Sequence, residues 1–423
     1  MPATQNLHTT NNTLSLQEMQ IRQERCQKNL LALCPEADGL LVFHRPTIYY
    51  LSGTLGKGML WLPKKGEALL FIRKGLERAK LESPHIPAVN YRSFREVPKM
   101  LAGPAGKGQR IHTIAVDKSF VPWDMAERLQ KTMPDINFVN GDIAIRRSRA
   151  VKTPLEIQIM RVAGKAHHTI LSSLLPARIH PGMTELKIAN IYMNLCMEMG
   201  HNTPLRMSAF GEELYMGAVS AGANGAYPSY YDGPVGLKGA HPASPFWGNA
   251  DVVWEKNSLL TIDMGFGYNG YSTDKTSIYF SGPQNALPTL AKEAQTCCQE
   301  IENALAKRLK PGAIPCELWA ASQKMAEQAG FADGYMGTGG NRVAFVGHGI
   351  GLCIDEWPVL ASRFDTPLEE GMVIALEPKI TLPNHACRAE QALAMVGTEN
   401  TYVVTPSGGQ SLTGPAENII CVG

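Results

Sequence analysis

The stretch LLTIDMGFGYNGYSTDKTSIYF, residues 259–280, constrains the fold more than any other part of the chain. Two apolar runs flank a glycine-rich turn, the pattern of a pair of antiparallel strands. Each run carries an acid, Asp263 and Asp274, eleven residues apart. Asp263 follows Leu259, Leu260 and Ile262, and a carboxylate buried in such company is costly unless it is paired, neutralised or bound to a cation. A hairpin brings the two acids side by side at the outer ends of its strands. Taken alone, the pair also fits turn caps or surface acids.

Three later segments add to it. In AFVGHGIGLCIDEWP, His348 stands between an apolar run and two glycines, and imidazole there serves equally as a ligand or as a packed, hydrogen-bonded side chain. In GMVIALEPKI, Glu377 interrupts an apolar strand just before a proline, and in AMVGTENTYVVT, Glu399 opens another apolar strand, where a solvent-facing edge carboxylate is the alternative. Together these segments supply four carboxylates and one imidazole, and two divalent cations would cancel the four negative charges. Oxygen-rich donors with a single nitrogen suit Mn²⁺, Co²⁺, Fe²⁺ or Zn²⁺, and no cysteine enters the set to impose a softer metal.

The rest of the chain narrows the class. Its 423 residues, 44% of them hydrophobic, support a large core and two or three domains. Forty basic against thirty-eight acidic side chains leave a formal charge of +2, which gives no general attraction for nucleic acid or anionic lipid. Nine scattered cysteines, an odd number without repeated CxxC pairs, read as reduced thiols. No run is long and apolar enough to span a bilayer, and the polar start MPATQNLHTTNNTLS lacks the features of a secretory signal, so the expectation is a cytoplasmic protein with no membrane or nucleic-acid partner.

Residues 1–16 read as a polar leader. Residues 17–150 alternate helix and strand: a helix over EMQIRQERCQKNLLALC, strands at GLLVFH, TIYYLSG, GMLWLP, EALLFI and IHTIAVD, a helix around WDMAERLQKTM, then a strand and a turn up to the boundary. Residues 151–423 carry long helices from Pro154, over MTELKIANIYMNLCMEMG and over LAKEAQTCCQEIENALAKRL, with strands at LLTIDMGFGYNG, KTSIYFSG, GMVIALEPKI and NTYVVT. Between Gly222 and Gly248, glycines, prolines and aromatics recur without period, the mark of a long ordered surface loop.

The motifs IDMGFGYNGYSTD, GHGIGL, EEGMVIALEP and GTENTYVVT, in that order, resemble the pita-bread metallopeptidase family, which includes methionine aminopeptidase, aminopeptidase P, prolidase and the metal-free creatinase. YLSGTLGKGMLWLP and IRRSRAVKTPLEIQIMR are similar to the creatinase-type N-terminal domain of aminopeptidase P and prolidase, so the resemblance covers about residues 17–417. It implies an α/β creatinase-like N-terminal domain followed by an α+β pita-bread catalytic domain, a homodimer, and two divalent ions, Mn²⁺ favoured. By the same resemblance Asp263 chelates one ion, His348 and Glu377 hold the other, and Asp274 and Glu399 bridge them. Glu377 also acts as proton shuttle, and the substrate is a small peptide of Xaa-Pro type or another small amide.

The chain departs from that pattern around the metal set. Where the peptidases have accessory histidines, this sequence has Ser229 in NGAYPSYYDG, Asp355 in CIDEWP and Ala344 four residues before His348, and Gly397 stands where an arginine is frequent. Asp355 is the candidate second catalytic residue, able to orient a cationic substrate or accept a proton, with a structural turn acid as the alternative. Ser229, Tyr230, Tyr231, Asp232 and Trp357 are candidate substrate-binding residues, set against ordinary loop and core anchors. Lys238 and His241 share the long loop and read as surface polar groups. Two other readings stay open: a non-peptidase relative performing amide hydrolysis or lyase chemistry on a small metabolite, and a binding protein that keeps the fold without turnover.

Overall fold

The computed structural model describes residues 13–102, 111–382 and 394–422. Residues 1–12 of the polar leader lie outside that range; its end, Ser15, caps the first helix by accepting from the Glu18 amide. Contacts divide the chain into two compact units, Met1–Arg149 and Ala150–Gly423. The expected order, an α/β unit followed by an α+β unit, is what the chain adopts.

In the first unit the elements run α1 (Leu16–Leu33), β1 (Gly39–Val42), α2 (Arg45–Ser52), β2 (Lys57–Pro63), β3 (Leu69–Lys74), α3 (Leu76–Glu82), β4 (Ala88–Asn90), α4 (Val97–Ala102), β5 (Thr113–Val116), α5 (Trp123–Thr132), β6 (Asn137–Asn140) and α6 (Asp142–Ala150). The strands form one mixed six-stranded sheet in the order β4-β3-β2-β1-β5-β6. Its apolar residues, among them Leu41, Trp61, Phe71 and Ile114, make one buried cluster with residues such as Leu129 of α5. Two local expectations change. TIYYLSG belongs to a helix, because Pro46 sits in the first turn and Gly53 closes the last one with φ 87°, and these end signals outweigh the strand preference of Ile48, Tyr49 and Tyr50. The turn expected before the boundary is the nine-residue α6, opened by Asp142 and ended by Arg147 and Arg149, charges that suit the helix dipole.

Asp117 ties β5 to the start of α2: its carboxylate accepts from the Phe43 and His44 amides at 2.6–3.0 Å. Burial outweighs these donors and pushes its carboxyl up to about 7. A carboxyl raised in the folded state contributes stability that is present below the unfolded value near 4 and lost as pH rises through about 7. The difference in thermal midpoint between wild type and Asp117→Asn is therefore expected to grow in favour of the variant from pH 4 to pH 8, measured by circular dichroism.

The second unit holds α7 (Pro154–Thr169), α8 (Glu185–Glu198), β7 (Gly217–Ala221), β8 (Leu259–Tyr268), β9 (Tyr271–Phe280), α9 (Thr289–Arg308), α10 (Pro315–Gln328), β10 (Phe345–Gly349), β11 (Glu356–Ala361), β12 (Val373–Leu376), β13 (Lys379–Thr381), β14 (Met395–Gly397), β15 (Asn400–Thr405), β16 (Gly408–Ser411) and β17 (Ile420–Cys421). They pair as a sheet β17-β9-β8-β7, a sheet β11-β10-β12-β15-β16 and the ribbon β13-β14. One large core lies under α9 and α10, against residues such as Phe280, Val346, Ile374 and Val404. Strands β8 and β9 meet at a two-residue turn, Asn269 and Gly270, both with positive φ, the geometry that matches the twist of a hairpin.

The long segment after β7 is anchored more firmly than a surface loop. Glu185, buried at the start of α8, accepts from the Ala221 amide, from both contacts of the Asn224 amide side chain and from the Asn249 amide at 2.6–3.1 Å, so a single carboxylate holds both ends of the loop. Within the loop Val235 and Leu237 are buried against Ala218 and Met395, with Tyr231 packed beside them. Glu185→Ala strands these donors and is expected to cost about 2–3 kcal/mol. Limited proteolysis should find new cleavage between residues 222 and 248 in that variant.

Candidate metal centre

The hairpin register decides where the two aspartates stand. Asp263 pairs with Thr276 and Asp274 with Gly265, so the acids are diagonal neighbours on one face, since 263 and 265 share a parity along β8. They lie inside ten-residue strands rather than at strand ends, because both strands continue well past them. The neighbouring residue Lys275 faces the opposite side, where its Nζ donates to Asn400 Oδ1 at 2.8 Å and meets Glu417 at 3.5 Å.

Three other elements deliver the remaining groups. His348 comes from β10, across from Ala375 of β12. Glu377 follows β12 directly, with its amide bonded to the Val346 carbonyl, and Glu399 precedes β15, where its carbonyl accepts from the Thr276 amide at 3.3 Å. His348 Nδ1 lies 3.0 Å from the Gly349 carbonyl oxygen, which can only accept, so Nδ1 carries a proton and Nε2 is left facing the acids. That Nε2 is 3.4 Å from Glu377 Oε1 and 4.0 Å from Glu399 Oε1. Thr276 places one hydroxyl between Asp263 Oδ1, at 3.0 Å, and Glu399 Oε2, at 2.9 Å.

All five candidate ligands thus converge, and a sixth group stands among them. Lys379 Nζ is 2.8 Å from Glu377 Oε2, 2.8 Å from Glu399 Oε2 and 3.4 Å from Asp263 Oδ2, with its side chain 0% exposed. Sequence reading passed over Lys379, although a lysine in the apolar run GMVIALEPKI carries the same signal that singles out Glu377: a charge where the strand is otherwise buried.

The electrostatics follow from this crowding. Burial pushes the Asp263 carboxyl up to about 7, with Lys379 pulling it down and Glu399 pushing it up. Asp274 is driven well above the usual carboxylate range by burial, then by Glu399 and Asp263. For Lys379, burial opposes the charge, yet Asp263, Glu377 and Glu399 prevail and hold the ammonium well above its ordinary value.

Donor atoms of Asp274, His348 and Glu399 all lie within 4.8 Å of one another. Ligands about 2.0–2.2 Å from a common ion stand a few ångströms apart, so one divalent cation fits among these three. A second ion drawing on Asp263, Glu377 or Glu399 would share each acid with Lys379, which already engages one oxygen of all three.

The other candidate residues spread around this centre. Asp355 accepts from the Ser208 amide at 2.6 Å, and burial raises its carboxyl while Ser208 and the nearby His348 lower it. Tyr231 is half-buried; burial, and then Asp263, raise its phenol, with Asp274 and Glu377 acting the same way, which puts its ring in the field of the acids. Tyr230 is 50% exposed and donates to the Glu213 carbonyl, Asp232 is exposed, and the Ser229 hydroxyl reaches the Tyr231 carbonyl at 3.5 Å. Trp357 packs onto the main core, and Lys238 and His241 are exposed. A Cβ on Gly265 would run into Leu205 and Ile354, so these two apolar side chains lie tight against the strand between the aspartates.

Thr276→Val removes the one hydroxyl shared by Asp263 and Glu399 at near-constant volume. It is expected to cost about 1–3 kcal/mol in urea unfolding of the metal-free protein, with Thr276→Ser close to wild type.

The model of metallopeptidase family M24 matches residues 158–406, and that of the creatinase/prolidase N-terminal domain matches residues 22–151. The Xaa-Pro dipeptidase of Pyrococcus horikoshii is 26% identical over 386 residues, covering 90% of this chain and 94% of that protein. A probable dipeptidase of Mycobacterium tuberculosis is 26% identical over 240 residues, 56% of this chain and 54% of its own length. Among solved structures, an Xaa-Pro dipeptidase from Bacillus anthracis superposes with TM-score 0.75 at 21% identity, covering 95% of this chain and 99% of that one. An X-Pro aminopeptidase from Thermotoga maritima does so with TM-score 0.71 at 23% identity, covering 94% and 99%. At these identities the structural likeness speaks for the fold.

Proposed function

Because the chain belongs to metallopeptidase family M24, with a creatinase/prolidase-type N-terminal domain ahead of it, we propose that it is a metal-dependent hydrolase of small peptides with Xaa-Pro dipeptidase or aminopeptidase activity. The observation that carries this reading is the gathering of Asp263, Asp274, His348, Glu377 and Glu399, from four separate segments, around a space a few ångströms wide. We take the cofactor to be a divalent ion, Mn²⁺ favoured over Co²⁺, Fe²⁺ and Zn²⁺, and the protein to be a cytoplasmic homodimer. No described helix is long and apolar enough to cross a membrane.

Asp274, His348 and Glu399 are the residues that would hold the ion, which when bound polarises the scissile carbonyl and acidifies water. Glu377 is oriented for proton transfer: Lys379 fixes its Oε2, leaving Oε1 directed toward His348 and the centre of the cluster. In this scheme Glu377 takes a proton from the attacking water as oxygen bonds to the carbonyl carbon, and returns it to the departing nitrogen as the C–N bond breaks. The apolar side chains of Leu205 and Ile354 and the ring of Tyr231 border the space and limit water in it. Asp355, whose carboxyl feels the charge of His348, would receive a cationic group of the substrate.

A second reading, hydrolysis of a small non-peptide amide, is favoured by the acid Asp355 and the alcohol Ser229 standing where peptidases of this type carry histidines, and by Lys379 within the cluster. A panel of Xaa-Pro dipeptides and Xaa-Pro-Yaa tripeptides decides between them, using Mn²⁺-loaded enzyme and product identification by mass spectrometry. Xaa-Pro cleavage is expected, falling at least 100-fold on chelation and in Glu377→Gln. Folded, metal-loaded protein that cleaves none of the panel overturns the peptidase reading in favour of the second.

A further inference from the structure

A buried ammonium at the heart of an acidic cluster does the electrostatic work of a bound cation without being loaded. We propose that Lys379 permanently takes the place of one of the two ions that the four acids invite, so that the centre binds a single divalent cation, through Asp274, His348 and Glu399. The inference deepens the metal reading of this site and rests on it.

Geometry carries it in three ways. First, Nζ touches oxygens from three separate segments, Asp263 on β8, Glu377 after β12 and Glu399 before β15, at 3.4, 2.8 and 2.8 Å. A divalent ion bound by the same oxygens would lie against the ammonium, and like charges at that separation repel strongly in a dehydrated setting. Second, the Thr276 hydroxyl is shared between Asp263 and Glu399, so two of the three acids around the ammonium are engaged by a further group of the chain itself. Third, the lane of the lysine stem is built into the β-ribbon. Lys379 pairs directly with Gly397 across β13 and β14, and a Cβ on residue 397 would stand 2.7 Å from Lys379 Cγ and 2.8 Å from its Cα. The bare backbone at Gly397 is what lets the chain lie flat and extend its ammonium inward.

The charges agree with a single-ion centre. Four carboxylates, one ammonium and one dication leave a formal −1, and the residues grouped for an ion are Asp274 and His348, which the ammonium does not touch, with Glu399, which it touches at Oε2. Glu399 then serves both cations.

Metal content tests this independently of turnover. The full chain is stripped with chelator, titrated with MnCl₂ in a calorimeter, desalted and assayed by inductively coupled plasma mass spectrometry, beside Lys379→Gly. Expected are about one ion per wild-type chain and about two per Lys379→Gly chain. Two ions in wild type, or a folded Lys379→Gly that stays at one, overturns the proposal. Should Lys379→Gly fail to fold, anomalous diffraction from Mn²⁺-soaked wild-type crystals decides: one peak between Asp274, His348 and Glu399 upholds the substitution, and a second peak beside Asp263 refutes it. A wild-type chain that binds no ion refutes both this proposal and the metal reading, whereas single-ion binding without Xaa-Pro cleavage refutes only the peptidase activity.

Discussion

Four carboxylates held within a few ångströms of each other, away from bulk water, repel one another, and the catalytic unit is organised around relieving that repulsion. The raised carboxyls of Asp263 and Asp274 record the strain of bringing them together. Lys379 relieves part of it from inside the fold, and the imidazole and hydroxyl of His348 and Thr276 complete the inner surface of the cluster. Removing the ammonium alone would leave three acids uncompensated, which is why the lysine and the acids stand or fall as a group.

The backbone makes this crowding possible by supplying the groups from rigid elements. Asp263 and Asp274 ride on one hairpin, His348 on the second strand of a five-stranded sheet, and Glu377 and Glu399 on the short connections where strands of that sheet pass to the ribbon that carries Lys379. Direct ladders link the pieces: Thr276 to Glu399 between the two sheets, and Glu377 to Val346 beside His348. The loop tied down by Glu185 then brings Tyr231 to the rim without adding a charge.

Much of this was legible from residue order. The apolar runs around Asp263 and Asp274 announce a hairpin, and an acid inside a buried strand asks for a partner wherever it occurs, which is how Glu377 and Glu399 stand out. What escaped were pairings between distant segments. Nothing near Lys379 in sequence says that its ammonium meets Asp263, more than a hundred residues earlier, and nothing near Tyr231 says that its phenol rather than that of Tyr230 feels the charge of Asp263 and Asp274. At α2 the local signals conflict: Ile48, Tyr49 and Tyr50 favour a strand, while the proline before them and the glycine after them set the backbone.

The hairpin has a consequence for chain length. Its side chains alternate between a face that gathers acids and a face where Lys275 meets Glu417, and the register is set by the two-residue connection at Asn269 and Gly270. Inserting or deleting one residue between the aspartates would slide β9 by a single step, rotating Asp274 outward and Lys275 inward. The interval between the two acids is thus itself a determinant of the sign of charge offered to a ligand, and a change in spacing that alters no named side chain would turn part of an anionic cup cationic.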